Sequence, residues 1–161
     1  MVGRDGAFGL LMGAAIVFYF LFPAQGAAQD SLSGSCAEVT FPSPLEDLTR
    51  CAEEGYAGAQ HLLGLRYEIG HDAPQDDAEA FLWYRQAAEQ GHSNAQSDLG
   101  MQYAKGGVLQ NLVYAYMWLG LSAAQGNEGA SFNKEMLEQR MTGEQIAEAE
   151  RLSREWIGTH P

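Results

Sequence analysis

The chain is 161 residues long and carries 21 acidic against 9 basic side chains, a formal net charge of −12. That balance argues against nucleic acid and anionic lipid headgroups as partners, because binding either is driven by positive charge. The acidity reads instead as a solvated surface, and the length behind the leader described next suits one domain with one core.

The first 28 residues place Arg4 ahead of an apolar run from Ala7 to Phe22, then Pro23 and small residues through Ala28. That order describes a secretory signal peptide, with cleavage expected near Ala28. A membrane span needs about 20 apolar residues, and this run is shorter and ends at a helix breaker. The competing reading is an uncleaved anchor, which the aromatic end of the run, Phe18, Tyr19, Phe20 and Phe22, favours. A membrane is a partner only on that reading; on both, the remainder leaves the cytoplasm and is periplasmic or secreted. Residues 29–42 form an N-terminal arm containing Cys36, and Cys51 is the other of the two cysteines. In an oxidising compartment the pair suggests a disulfide, worth about 3 kcal/mol for a loop of this size in the chain-entropy model. Two buried free thiols are the alternative.

From Ser43 onward the chain reads as helices. Ser43, Pro44, Leu45 and Glu46 spell a capping box with proline at the first helical position, opening a helix to about Glu54 in a partial N-terminal unit, 43–58. Two stretches then repeat one another: AQHLLGLRYEIGHDAPQDDAEAFLWYRQAAEQGHSN from Ala59, and AQSDLGMQYAKGGVLQNLVYAYMWLGLSAAQGNEG from Ala95. They define repeat one, 59–94, and repeat two, 95–129. The offset is 36 residues, then 35 past the loop. Gly64 maps to Gly100, Tyr67 to Tyr103, Gly70 to Gly106, Trp83 to Trp118, Ala88 to Ala123 and Gly91 to Gly126. A period of this size marks stacked helix pairs.

Within a unit, Ala59, Leu63, Gly64 and Tyr67 fall on one face of a first helix, and Gly70 supplies its left-handed stop. Asp76 or Asp77 caps a second helix whose inner face is Ala80, Trp83, Tyr84, Ala87 and Ala88. Small residues let the two backbones approach, and Tyr67, Trp83, Tyr103 and Trp118 are expected to fill the core. One pair cannot bury such a face alone, so neighbours must stack on it. Residues 130–161 read as C-terminal capping helices with a polar outer surface, since Glu135 and Glu138 stand where Gly100 and Tyr103 would recur. Thr142 with Gln145 opens the last helix, whose apolar stripe is Ile146, Ala149, Leu152, Trp156 and Ile157. The expected fold is all-α, a short α/α superhelical solenoid of antiparallel helix pairs.

These residues resemble the Sel-one-like repeat family, relatives of the tetratricopeptide repeats. The likeness rests on A-x4-G-x2-Y-x2-G followed by A-x2-W-Y/L-x3-A-x2-G, at Ala59 to Gly91 and again at Ala95 to Gly126. The closing MTGEQIAEAERLSREW is similar to the last helix of many bacterial members. The resemblance implies a non-enzymatic adaptor without a cofactor, and with export it implies a protein or peptide partner in the cell envelope and a role in envelope signalling.

Contact is expected at first-helix positions the repeat does not dictate. Leu65, Arg66, Met101 and Gln102 are assigned as a joint patch for a peptide held between first helices. The reading from another class is a serine hydrolase or β-lactam-interacting protein using Ser131 and Lys134, which spell S-x-x-K. Those enzymes also need S-D-N and K-T-G elements, which the sequence lacks. His61, His71, His92 and His160 show no paired metal-ligand spacing, and the loop bearing His71, Asp72, Asp76 and Asp77 lacks the alternating oxygens and glycine of a calcium motif. No metal site is expected.

Overall fold

Left-handed glycines and side-chain caps set the bounds of the helices. The computed structural model describes Cys36, Thr40 and residues 43–105 and 111–160. The leader, 1–28, and most of the arm, 29–42, lie outside the described residues, as do Gly106 and Gly107. Among the described residues there are seven helices and no strand: α1 (Leu45–Glu53), α2 (Ala57–Ile69), α3 (Asp77–Glu89), α4 (Ser93–Lys105), α5 (Leu112–Ala124), α6 (Glu128–Glu138) and α7 (Gly143–Thr159). None of these helices is long and apolar enough to cross a membrane.

The turns after α1, α3 and α5 each pass through a glycine at positive φ: Gly55 at 95°, Gly91 at 84° and Gly126 at 88°. An L side chain there would crowd the following carbonyl, so the period is written into the backbone as well as the core. Within the pairs, Asp76 and not Asp77 caps α3, accepting from the amides of Ala78 and Glu79 at 2.9 and 3.0 Å. Asn111 does the same for α5. The Thr142–Gln145 capping box forms. The one expected at Ser43 does not: the Ser43 hydroxyl accepts from the amide of Thr40, and α1 starts at Leu45 with Pro44 as its uncapped first flank.

The pairs α2/α3 and α4/α5 are antiparallel and close at a glycine. A Cβ on Gly64 would sit 2.7 Å from the Tyr84 ring, and one on Gly100 would sit 2.8 Å from Leu119 Cγ. Tyr84 and Leu119, each directly after a tryptophan, are therefore among the most deeply buried side chains. Of the four aromatics assigned to the core, Trp118 is buried and meets Trp156 edge-on, whereas Tyr67, Trp83 and Tyr103 are half-buried against it. Trp83 packs on the cluster of Leu48, Cys51, Ala52, Ala59 and Leu63, which joins α1 to α2. Cys36 is disulfide-bonded to Cys51, so Cys36 is held against that cluster. At the far end α7 lies along α5 through Ile146, Ala149, Leu152 and Trp156. Ile157, expected on the same stripe, is exposed instead, one residue past the inward-facing Trp156.

A polar tie recurs with the same period. The Gln60 side chain donates to the carbonyl of Ala52 at 3.1 Å and accepts from Gln90 at 2.7 Å. Gln96 repeats this with Ala88 at 3.2 Å and Gln125 at 2.7 Å. Each buried glutamine satisfies a carbonyl at the end of the preceding unit, linking consecutive units where apolar packing alone would leave polar atoms unpaired. In the third unit Ser131 stands at the same position and donates to Asn127 within its own helix, so the tie ends there.

Candidate partner-binding face

The first helices α2, α4 and α6 run parallel, offset by one repeat. Polar contacts join α2 to α4. His61 Nε2 lies 2.8 Å from Asp98, and Glu68 accepts from the Tyr84 hydroxyl at 2.7 Å, from Gln102 at 3.0 Å and from Lys105. Partial burial pushes the Glu68 carboxyl upward, but Lys105, Tyr84 and Gln102 together outweigh it and leave the carboxyl below its ordinary value. Burial, and after it the Glu68 carboxylate, push the Tyr84 hydroxyl up. His92, just before α4, lies with its ring tilted 32° against that of His61 at 4.9 Å between centroids, and accepts from the Ala95 amide. Burial, reinforced by His61 and opposed by Asp98, holds His92 below the ordinary histidine range.

The structure divides the four side chains assigned to the contact patch. Leu65 and Met101 are half-buried at the surface of their helices. Arg66 is 1% exposed: its guanidinium donates to Asp72 at 2.6 Å and to the carbonyl of Ser43 at 2.8 Å, and contacts His71 Nδ1 at 3.0 Å. It braces the loop after α2 against the entry to α1 instead of facing outward. Gln102 is 9% exposed and is used on Glu68. Neighbours in a helix point about 100° apart, so Leu65 and Arg66 do not share a face.

Two surface residues escaped the sequence reading because the third unit was taken as a polar cap. On α6, Phe132 is 63% exposed and Met136 is 49% exposed. Met136 occupies the repeat position of Leu65 and Met101, and Phe132 that of His61 and Ser97. The signal was in the register, which places apolar side chains at one position in all three first helices.

Ser131 and Lys134 do not make a nucleophile and base. The serine donates to the Asn127 carbonyl at 3.2 Å, and the lysine ammonium lies 4.7 Å over the Tyr116 ring. In the loop after α2, Asp72 pairs with Arg66 and Asp76 caps α3. Among the described residues no three His, Cys, Asp or Glu side chains gather as metal ligands.

The Sel1 repeat pattern matches residues 57–92 and 93–127. A protective antigen present in uropathogenic Escherichia coli strains, displaying an SLR fold, superposes with a TM-score of 0.68 at 34% identity over 72% of this chain and 25% of its own. A Sel1 repeat protein from Oxalobacter formigenes superposes with a TM-score of 0.55 at 39% identity over 56% of this chain and 69% of its own. This chain thus spans a quarter of the length of the first relative. No curated protein matches it.

Proposed function

The chain belongs to the Sel1 repeat family, typically scaffolds for protein–protein interaction, and from that premise we propose that it binds a protein or peptide partner across the outer faces of its first helices. The observation that carries this reading is the apolar series Leu65, Met101 and Met136, ending beside the strongly exposed Phe132. Phe132 and Met136 lie one helical turn apart, and adjacent large apolar side chains left in water are characteristic of interaction surfaces. Polar ties beneath them, through Asp98 and Glu68, hold α2 and α4 in place, so the surface is preorganised and ordering it costs little on binding. Leu65 and Met101 keep the contact role read from the sequence; Gln102 ties α4 to α2 through Glu68, and Arg66 braces the loop after α2.

The Cys36–Cys51 bond supports an oxidising compartment, as does the charged, apolar and small-residue order of the leader. We therefore place the protein in the periplasm or outside the cell, with an envelope protein as its partner and envelope signalling as its role. A hydrolase built on Ser131 and Lys134 draws no support from the geometry, since the hydroxyl proton is directed at a backbone carbonyl.

The test is a photo-crosslinking residue at Met136 in the intact chain, with Phe132→Glu as the control. A discrete crosslinked envelope protein that disappears in the control is the expected result. Crosslinks of equal yield in the control would refute this use of the face.

A further inference from the structure

A cleft of about 230 Å³ opens where α5, α6 and α7 meet, away from the stripe of Leu65, Met101 and Met136. Its floor is apolar: Tyr116 and Leu121 are buried beneath it, Ala124 adds a methyl, and Ile157 stands exposed at its rim. Gly120 lines it without a side chain, and a Cβ there would make only an ordinary contact with Lys134 Cε at 3.7 Å.

Two cations border this floor. Lys134 lies over the Tyr116 ring, and no carboxylate of the described residues pairs with it. The Arg154 side chain is 69% exposed and reaches Glu150 only at 3.8 Å, a surface contact that holds it weakly. In a chain with 9 basic residues and a net charge of −12, two of them line the same apolar hollow, with Glu150 the one acidic residue in its lining.

We propose that this cleft is a second binding site, distinct from the first-helix face, for a peptide segment in which a large apolar side chain is flanked by carboxylates. The apolar side chain fills the hollow over Tyr116 and Leu121, removing Ile157 from water at the same time. Lys134 receives one carboxylate as a point charge, and Arg154 releases Glu150 to take the other through its two-pronged guanidinium. The general field of the acidic protein repels such a segment, so selectivity comes from these two side chains at short range and weakens with added salt.

The probes are two synthetic peptides, acetyl-Ser-Asp-Leu-Phe-Glu-Ser-amide and its counterpart with lysine at both acidic positions. Each is titrated into the isotope-labelled intact protein and followed by amide chemical shifts. The acidic peptide should move Gly120, Leu121 and Ser153, the lysine peptide should not, and Arg154→Glu should weaken binding at least tenfold. Lys134→Glu should do the same; because it also removes a contact with Tyr116, the exposed Arg154 carries the decision. Equal binding of the two peptides, undiminished binding by Arg154→Glu, or no shifts in the cleft would overturn the proposal. Shifts confined to Met101 and Met136 would overturn it while leaving the first-helix face standing.

Discussion

Replacing Gly64 with alanine adds one methyl group at the closest point between α2 and α3. In an open helix interior that change gains roughly 1 kcal/mol from propensity. Here the new Cβ lies 2.7 Å from both Cδ1 and Cε1 of Tyr84 and 3.2 Å from the Ala80 carbonyl oxygen, whereas carbon contacts prefer about 3.5–4.0 Å. The ring cannot move aside, because it is fully buried and its hydroxyl is held by Glu68 at 2.7 Å. Overpacking a dense core costs about 1–3 kcal/mol, and with ring and backbone both in the way the upper part of that range applies. Set against the propensity gain, the net loss is about 1–2 kcal/mol. Gly120→Ala is the matched reference: it lies inside α5, where the added Cβ makes only an ordinary contact at 3.7 Å, and it should gain about 0.5–1 kcal/mol. Urea unfolding followed by circular dichroism should place the two variants on opposite sides of the parent with unchanged slopes. A Gly64→Ala protein as stable as the parent would refute the claim that the pair closes on this glycine.

Arg66→Ala should cost about 2–3 kcal/mol, because it strands the Ser43 carbonyl and frees the Asp72 loop, while Arg154→Ala should stay within about 0.5 kcal/mol; thermal unfolding of both distinguishes a brace from a surface charge. Gln96→Leu should lose about 1–3 kcal/mol by leaving the Ala88 carbonyl and the Gln125 amide unpaired, and denaturant unfolding would show no change if the recurring tie were incidental. Reduction of Cys36–Cys51 should lower stability by about 3 kcal/mol, read as the shift in unfolding midpoint with and without a phosphine reductant. His92 is held below its ordinary value of 6.5, so folding favours its neutral form. As pH falls through that value the unfolded chain takes up the proton first, and stability declines until the folded-state value is passed. The midpoint should therefore drop over that interval in the parent and drop less in His92→Gln.

The register of the repeats was legible in the sequence, because alanine, glycine and tryptophan at matching positions report close helix contacts wherever they occur. The Asp76 and Thr142 caps were legible too, since a cap is a local hydrogen bond between near neighbours. The cap at Ser43 was misread: its hydroxyl had a competing partner in the Thr40 amide, upstream of the motif. The buried glutamines were visible as an A-Q pair at the start of each copy, yet their meaning depends on carbonyls eight residues away across a turn.

By itself, then, the sequence determined the period, the helix pairs and their order, all consequences of short-range chemistry repeated along the chain, while the choice between a Cys36–Cys51 bond and two free thiols fell to the structure. Only the tertiary structure decided which way the variable side chains face. Arg66 turns inward because Ser43 and Asp72 come within reach of its guanidinium, and Phe132 and Met136 remain in water because α7 packs along α5 and leaves that side of α6 uncovered. Exposure is a property of what a neighbouring element covers, and no residue carries that information alone.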